Sequence, residues 1–323
     1  MRVLTSLIAQ QIERFLEHKR GLDFAYRNEE WLLGKLDRVV AGGDPSIAVL
    51  DEPLVRRFVA DGTRGSRQHR LTLVRQLARF LLVEEPRTFV PPRRFLGVGR
   101  QRPVVRVLSR QEATRLLNAF DQLTDSSSYP HRGIIHGMLL RILLLTGLRR
   151  GEALALKVAD VDLDADVLLV RQGKFGKSRF VPVAEDLAER LRGYGELVRP
   201  DIADRHSDAP FFPGADGCRP CGAACLRRSF RRALEMAGIA YGGRGEGPRL
   251  HDLRHTFAVL RLLIWYEQGA DLSAKLPLLA TYLGHVGLSS SQVYLHMTGD
   301  LVGEVTRRFE DRFGDIITAG VAT

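Results

Sequence analysis

The sequence predicts a mainly α-helical protein with one small antiparallel β-sheet, on three observations. Apolar residues recur at helical spacing through residues 1 to 86. Three short apolar segments, around Val161 and Leu163, Val167 and Leu169, and Phe180 to Val183, carry a strand pattern instead. The helical period then returns from Glu185 nearly to the end.

The N-terminal stretch places Ile8, Ile12, Phe15 and Leu16, then Trp31, Leu32 and Leu36, then Leu54, Val55 and Phe58 at spacings that line one face of a helix. These predict a small helical domain over residues 1–86. Its last helix, expected over Ser66 to Val83, carries Leu71, Val74, Leu77 and Leu81 on one side and Arg67, Arg70, Arg75 and Arg79 elsewhere. On one helix, such arginines fit a solvated face as well as phosphate binding. The next stretch tips the balance. "RTFVPPRRFLGVGRQRPVVRVLSR", residues 87 to 110, holds seven arginines and no acid, with three prolines and two glycines that disfavour regular helix. A basic interdomain linker over 87–107 is expected, with Arg93, Arg94, Arg100 and Arg102 available to follow a polyanion.

A second, larger domain is expected over 108–311, followed by a tail over 312–323. It opens with helices near Gln111 to Leu123 and His131 to Leu145. Three short strands follow, with turns at Asp164 to Asp166 and Gly173 to Lys177. Helices are expected again over Glu185 to Tyr194, Leu226 to Ala237, and from Leu253 onward. In "RRSFRR", residues 227 to 232, Arg227 pairs with Arg231 and Arg228 with Arg232 at i, i+4, making one compact cationic face.

Composition narrows the partner. The 323 residues are 45% hydrophobic and 27% charged, normal for a globular protein; Lys+Arg 48 against Asp+Glu 38 leaves a formal charge of +10 and a pI near 9.9. That excess favours nucleic acid or an acidic membrane surface. No run of about eighteen apolar residues marks a membrane span, and no secretory signal is evident, so a cytoplasmic protein is expected. The three cysteines, Cys218, Cys221 and Cys225, do not form a disulfide framework. Cys-x2-Cys is half a zinc site, but completing it would require His206 across a loop; incidental loop and helix-start cysteines are the alternative.

Four segments carry the chemistry: "TGLRRGEALAL" (146 to 156), "RQGKFGKSRFVPV" (171 to 183), "HDLRHTFA" (251 to 258) and "LGHVGLSSSQVY" (283 to 294). His251 and Arg254 are three apart, hence on one face of a helix; so are Arg149 and Glu152. His285 and Tyr294 are nine apart, and one continuous helix would turn them to opposite sides. Gly287 and Ser289 to Ser291 make a break between two short helices the expected solution.

Together and in this order, these segments resemble the tyrosine recombinase (phage integrase) family, including its transposon-encoded members. The resemblance covers the catalytic domain and implies a helical N-terminal core-binding domain joined to a mixed α+β catalytic domain. Carried over, the family's catalytic residues fall on Arg149, Lys174, His251, Arg254, His285 and Tyr294. Glu152 is expected to buttress Arg149. Lys177 is the alternative to Lys174, while Arg150 and His255 face elsewhere than their neighbours. The implied activity is site-specific DNA strand transfer through a 3′-phosphotyrosyl intermediate, with no cofactor, no metal and no small-molecule substrate. The implied partners are double-stranded DNA, gripped also by the arginines of 67–79, the linker and 227–232, and further copies of the chain. A dimer is expected at each site and a tetramer in the synapse, in the nucleoid. Val305, Phe309 and Phe313, four residues apart, are expected on a last helix that docks on its own core or on a neighbouring subunit. A type IB topoisomerase and a DNA-binding protein without catalysis are the rival readings.

Overall fold

The computed structural model describes residues 4–22, 24, 26–43, 49–62, 64–92, 95, 105–171, 178–198, 207–242 and 247–284. The chain divides into two compact units, 1–102 and 103–323.

In the first unit four helices, α1 (Ala9–Gly21), α2 (Arg27–Ala41), α3 (Glu52–Ala60) and α4 (Arg64–Leu81), surround a core of Ile12, Phe15, Leu33, Leu36, Val55, Phe58, Val74 and Leu77. Burying each such side chain contributes roughly 1.5–3 kcal/mol, which holds four otherwise marginal helices together. Asp51 starts α3 by accepting from the Leu54 amide at 2.8 Å, with Pro53 in the first turn. The chain entry is fixed by buried Asp37, which accepts from the amides of Thr5 (2.9 Å) and Ser6 (3.0 Å).

The α4 arginines divide by environment, and Arg70, expected at a DNA contact, faces the core. Its side chain is buried, donating to the Phe58 carbonyl at 2.6 Å and pairing with Asp61 at 2.9 Å. Arg67 donates to the carbonyls of Gly62 (2.9 Å) and Ala60 (3.1 Å), and Arg75 to those of Pro91 (2.7 Å) and Pro92 (2.6 Å). Arg79 is exposed. The beginning of the expected linker is docked on this unit: the Phe89 amide bonds the Leu50 carbonyl at 2.7 Å, and the rings of Phe89 and Phe95 pack against the core. Arg93, Arg94, Arg100 and Arg102 lie outside the described residues.

The second unit is built around α6 (Arg132–Thr146), whose Ile135, Leu139, Leu140, Ile142 and Leu143 are all buried. α5 (Arg110–Asp121), started by the reciprocal Ser109–Glu112 cap, packs on one side of it. α8 (Glu185–Val198), α9 (Ala223–Met236) and α10 (Leu250–Glu267) contribute to the same packing, and α11 (Leu272–Leu283) rests on α10. Between α7 (Arg150–Leu154) and α8 lies the sheet, β1 (Val161–Asp162), β2 (Val167–Val170) and β3 (Arg179–Pro182), antiparallel in that order. Leu168 pairs with Val161 on one side and Val181 on the other, and all three are buried. Alternation then aims Arg179, two residues before Val181, toward the same inner face.

The three strands and α5, α6, α8, α9 and the start of α10 match the predicted elements to within a few residues; α7 has no predicted counterpart. Within the helical stretch expected from Leu253 onward the structure has two helices. α10 ends at Glu267, Gly269 adopts φ +70°, and Asp271 caps α11 through the Ser273 amide at 2.8 Å. The predicted turn at Gly173 to Lys177 and the helix carrying Val305, Phe309 and Phe313 lie outside the described residues. No described helix is long and apolar enough to cross a membrane.

Candidate active site

The candidate site forms where α6 and α11 end and where α7 and α10 begin. Gly147 ends α6 with φ +64°, a left-handed turn that side-chain-bearing residues disfavour. The turn places Arg149 at the start of α7. There its backbone amide bonds Glu152 Oε2 at 2.9 Å and its Nη1 bonds Glu152 Oε1 at 2.6 Å.

α10 enters the core with Leu253, Phe257 and Ala258 buried, and this draws Arg254 inside with them. At 2% exposure Arg254 must satisfy its guanidinium internally: Nη1 donates to the Gly147 carbonyl at 2.8 Å and Nη2 to the Leu283 carbonyl at 2.7 Å. Arg149 reaches the next carbonyl, Nη2 donating to Gly284 at 2.8 Å. The two arginines, 105 positions apart in sequence, therefore meet at adjacent peptide groups at the end of α11. Gly284 itself has φ +67°, and a Cβ there would lie 2.8 Å from Arg179 Nη1.

His251, three residues before Arg254, stands at the first turn of α10, reaching solvent along one edge while its ring packs edge-on to His255, centroids 4.9 Å apart. Loss of water around the ring, then the positive charges of Arg254, Arg249 and Arg149, hold its pKa below the ordinary histidine value; Asp252 opposes this. The ring is consequently neutral near pH 7 and can accept a proton. His255 is lowered further, to about 4, chiefly by burial. Glu152 is held down at about 2 by hydrogen bonds and charge from Arg179 and Arg149, against the cost of burial.

Arg179 did not stand out from the sequence. From β3 its Nε donates to the Tyr282 carbonyl at 2.9 Å, while Nη1 and Nη2 fork onto Glu152 at 3.1 and 2.9 Å. The available signal was an arginine on the inward-facing register of a strand, sharing its face with buried Val181, which demands a carboxylate partner.

The structure thus brings together Arg149, Glu152, His251 and Arg254. Lys174, Lys177, His285 and Tyr294 lie outside the described residues, as does His206. Among the other tyrosines, Tyr282 stacks on Phe257, donates to the Pro182 carbonyl at 3.1 Å and has its pKa pushed up to about 12 by burial, marking it as a packing residue. On α9, Arg227, Arg228, Arg231 and Arg232 are all exposed. Arg231 stacks over Tyr241, 4.8 Å from the ring centroid, and Arg232 pairs with Glu235 at 3.0 Å. Arg150, Arg227, Arg231, Tyr241, Arg249 and His251 line a cleft of about 240 Å³ beside the site.

The cysteines lie apart from this site. Cys221 is buried with its sulfur 3.1 Å from His136 Nε2, and His136 Nδ1 lies 2.6 Å from the Ser229 hydroxyl; Cys218 is exposed. Among the described residues no group of three or more His, Cys, Asp or Glu side chains is placed to hold a metal ion.

Two guanidiniums converging on one end of a helix, with an imidazole one turn from the second, define a class of site suited to an anionic, tetrahedral centre. The sequence profile of the phage integrase family matches residues 106–299, and the chain belongs to that family. Among relatives, y4rB of Sinorhizobium fredii (strain NBRC 101917 / NGR234), which bears an integrase/recombinase name, is 34% identical over 96% of this chain and 99% of its own. Tyrosine recombinase XerD of Caulobacter vibrioides (strain ATCC 19089 / CIP 103742 / CB 15) is 31% identical over 80% of each chain. Solved structures share the fold. The Tn1549 transposon integrase in complex with transposon right end DNA aligns with a TM-score of 0.59 at 14% identity, covering 96% of this chain and 100% of its own. The XerH site-specific recombinase in its post-cleavage complex aligns with a TM-score of 0.57 at 22% identity, covering 87% and 78%.

Proposed function

We propose that this protein is a site-specific DNA recombinase that breaks and rejoins strands through a 3′-phosphotyrosyl link. The observation that carries the reading is the seating of Arg149 and Arg254 on the adjacent carbonyls of Gly284 and Leu283, with His251 one helical turn from Arg254. Guanidiniums stay protonated and present forked donors, so they stabilise charge that develops on non-bridging phosphate oxygens.

In the proposed reaction the Tyr294 oxygen attacks phosphorus and gives its proton to His251, whose depressed pKa keeps it an acceptor near pH 7. A Tyr–O–P bond forms and the bond to the 5′ oxygen breaks. Lys174 protonates the departing oxygen, with Lys177 as the alternative, and His285 donates to the phosphate. The product is still a phosphodiester, so attack by another strand's 5′ hydroxyl reverses the step without ATP.

Residues 1–86 act as the core-binding domain, 87–107 as the basic linker, 108–311 as the catalytic domain and 312–323 as the tail. Double-stranded DNA is held additionally by Arg79, the linker arginines and the exposed face of α9. Two copies occupy each site and four make the synapse, on DNA in the bacterial nucleoid.

A two-site joining assay tests this reading. Wild-type protein should exchange strands between two labelled duplexes drawn from its genomic neighbourhood, and Tyr294→Phe should bind them without exchange. Relaxation of supercoiled DNA with no joining would make it a topoisomerase; binding without either activity would make it a non-catalytic DNA-binding protein.

A further inference from the structure

Arg179 is a third guanidinium at the end of α11: of the three consecutive carbonyls of Tyr282, Leu283 and the cap Gly284, it takes the one that Arg149 and Arg254 leave, that of Tyr282. Its side chain is 14% exposed and Glu152 beside it 7%, so their pairing is shielded from solvent. Glu152 accepts twice from Arg149, at 2.9 and 2.6 Å, and twice from Arg179, at 3.1 and 2.9 Å.

With Glu152 alone, Arg149 would form a neutral pair and offer an incoming phosphate little net attraction. With Arg179 present, the three side chains together carry one positive charge, to which Arg254 adds a second. The carbonyls at a helix C-terminus are also its negative pole. Covering three of them in succession with guanidiniums removes a repulsion that a phosphate would otherwise meet.

We propose that Arg179 is a positioning residue for strand cleavage: by sharing Glu152 and fixing the Tyr282 carbonyl, it orients Arg149 and leaves its positive charge available to the phosphate. This rests on the strand-transfer reading above. Arg179 does not touch DNA in this scheme; it acts through Glu152, Arg149 and the last turn of α11.

The test measures single-turnover covalent adduct formation on a nicked suicide duplex, beside DNA affinity and thermal melting, for wild type, R179M, R179K, E152Q and R179M/E152Q. R179M should form adduct about 100-fold more slowly than wild type while binding DNA within about threefold, since charge stabilisation in the transition state is lost and uniform binding is not. R179K keeps the charge and should stay within about tenfold of wild type. Removing the carboxylate charge should release Arg149, so R179M/E152Q should react about tenfold faster than R179M.

A purely structural Arg179 would instead make the double variant the slowest. That order, or R179M forming adduct at the wild-type rate, overturns the inference. So does a rate that falls only in step with DNA affinity or melting temperature, with R179K no better than R179M. If wild type itself forms no adduct, the strand-transfer reading fails first and takes the inference with it.

Discussion

Replacing Arg254 with lysine separates what this residue does for the fold from what it does for the reaction. Arg254 is 2% exposed, and its two terminal nitrogens join the Gly147 carbonyl, where α6 ends, to the Leu283 carbonyl, where α11 ends. An ammonium on a flexible stem can reach one of those carbonyls but cannot fork onto both. A hydrogen bond to a charged donor contributes about 1.5–3 kcal/mol, and the abandoned carbonyl stays buried. Arg254→Lys should therefore destabilise the second unit by about 2 kcal/mol, roughly a thirtyfold change in its unfolding equilibrium. The two tryptophans make this measurable: Trp31 lies on α2 in the first unit and Trp265 on α10, eleven positions beyond Arg254. In a Trp31→Phe background, urea unfolding followed by indole fluorescence reports on the second unit alone. Adduct formation by the same variant should fall about 10²–10³-fold, more than the folding loss explains, because a transition-state donor goes as well. Wild-type resistance to urea in the Trp265 transition would refute the carbonyl clamp.

Three further outcomes follow from particular side chains. His136 is fully buried, and its pKa is lowered to about 4 by burial first, then by the charges of Arg132 and Arg228. Between about pH 4 and 6.5 the unfolded chain binds the proton that the folded one refuses, so stability rises with pH across this window. His136 supplies its full contribution above about 6.5 and loses about 3 kcal/mol by pH 4; pH-dependent urea midpoints check this, and His136→Gln should flatten the slope. Arg227 and Arg228 have no acidic partner among the described residues, so replacing both with alanine should lower the salt slope of DNA binding by about two. Arg70→Ala should leave that slope unchanged and destabilise the first unit instead, because its charge is buried on Asp61. An unchanged slope in the α9 variant would remove that face from the DNA contact.

Much of the fold was legible because its signals are local. Periodicity gives α5, α6, α8 and α9 and the three strands; each depends on which face of an element is apolar, and that is written within a dozen residues. The site was legible where spacing along one helix decides it, as for His251 with Arg254 and Arg149 with Glu152. Charge without context was less informative. Arg70 was read only as one of four arginines, yet nine positions put it on the opposite side of α4 from Arg79, one turn from buried Val74, where it packs against Phe58 beside Asp61 while Arg79 is exposed. Arg179 depended on tertiary pairing too: its partners are Glu152, 27 positions earlier, and Tyr282, 103 positions later. The break between α10 and α11 is marked locally too, by Gly269 as a stop and Asp271 as a cap, inside a stretch read only for its helical period.

The most direct test of strand transfer is to identify which side chain becomes joined to DNA. Wild-type protein should be trapped on a nicked duplex, digested with protease and sequenced by mass spectrometry. A single nucleotide-bearing peptide modified at Tyr294, with the phosphate on the 3′ side and a free 5′ hydroxyl on the departing strand, is the expected result. Attachment at any other residue, or linkage to a 5′ phosphate, would contradict it.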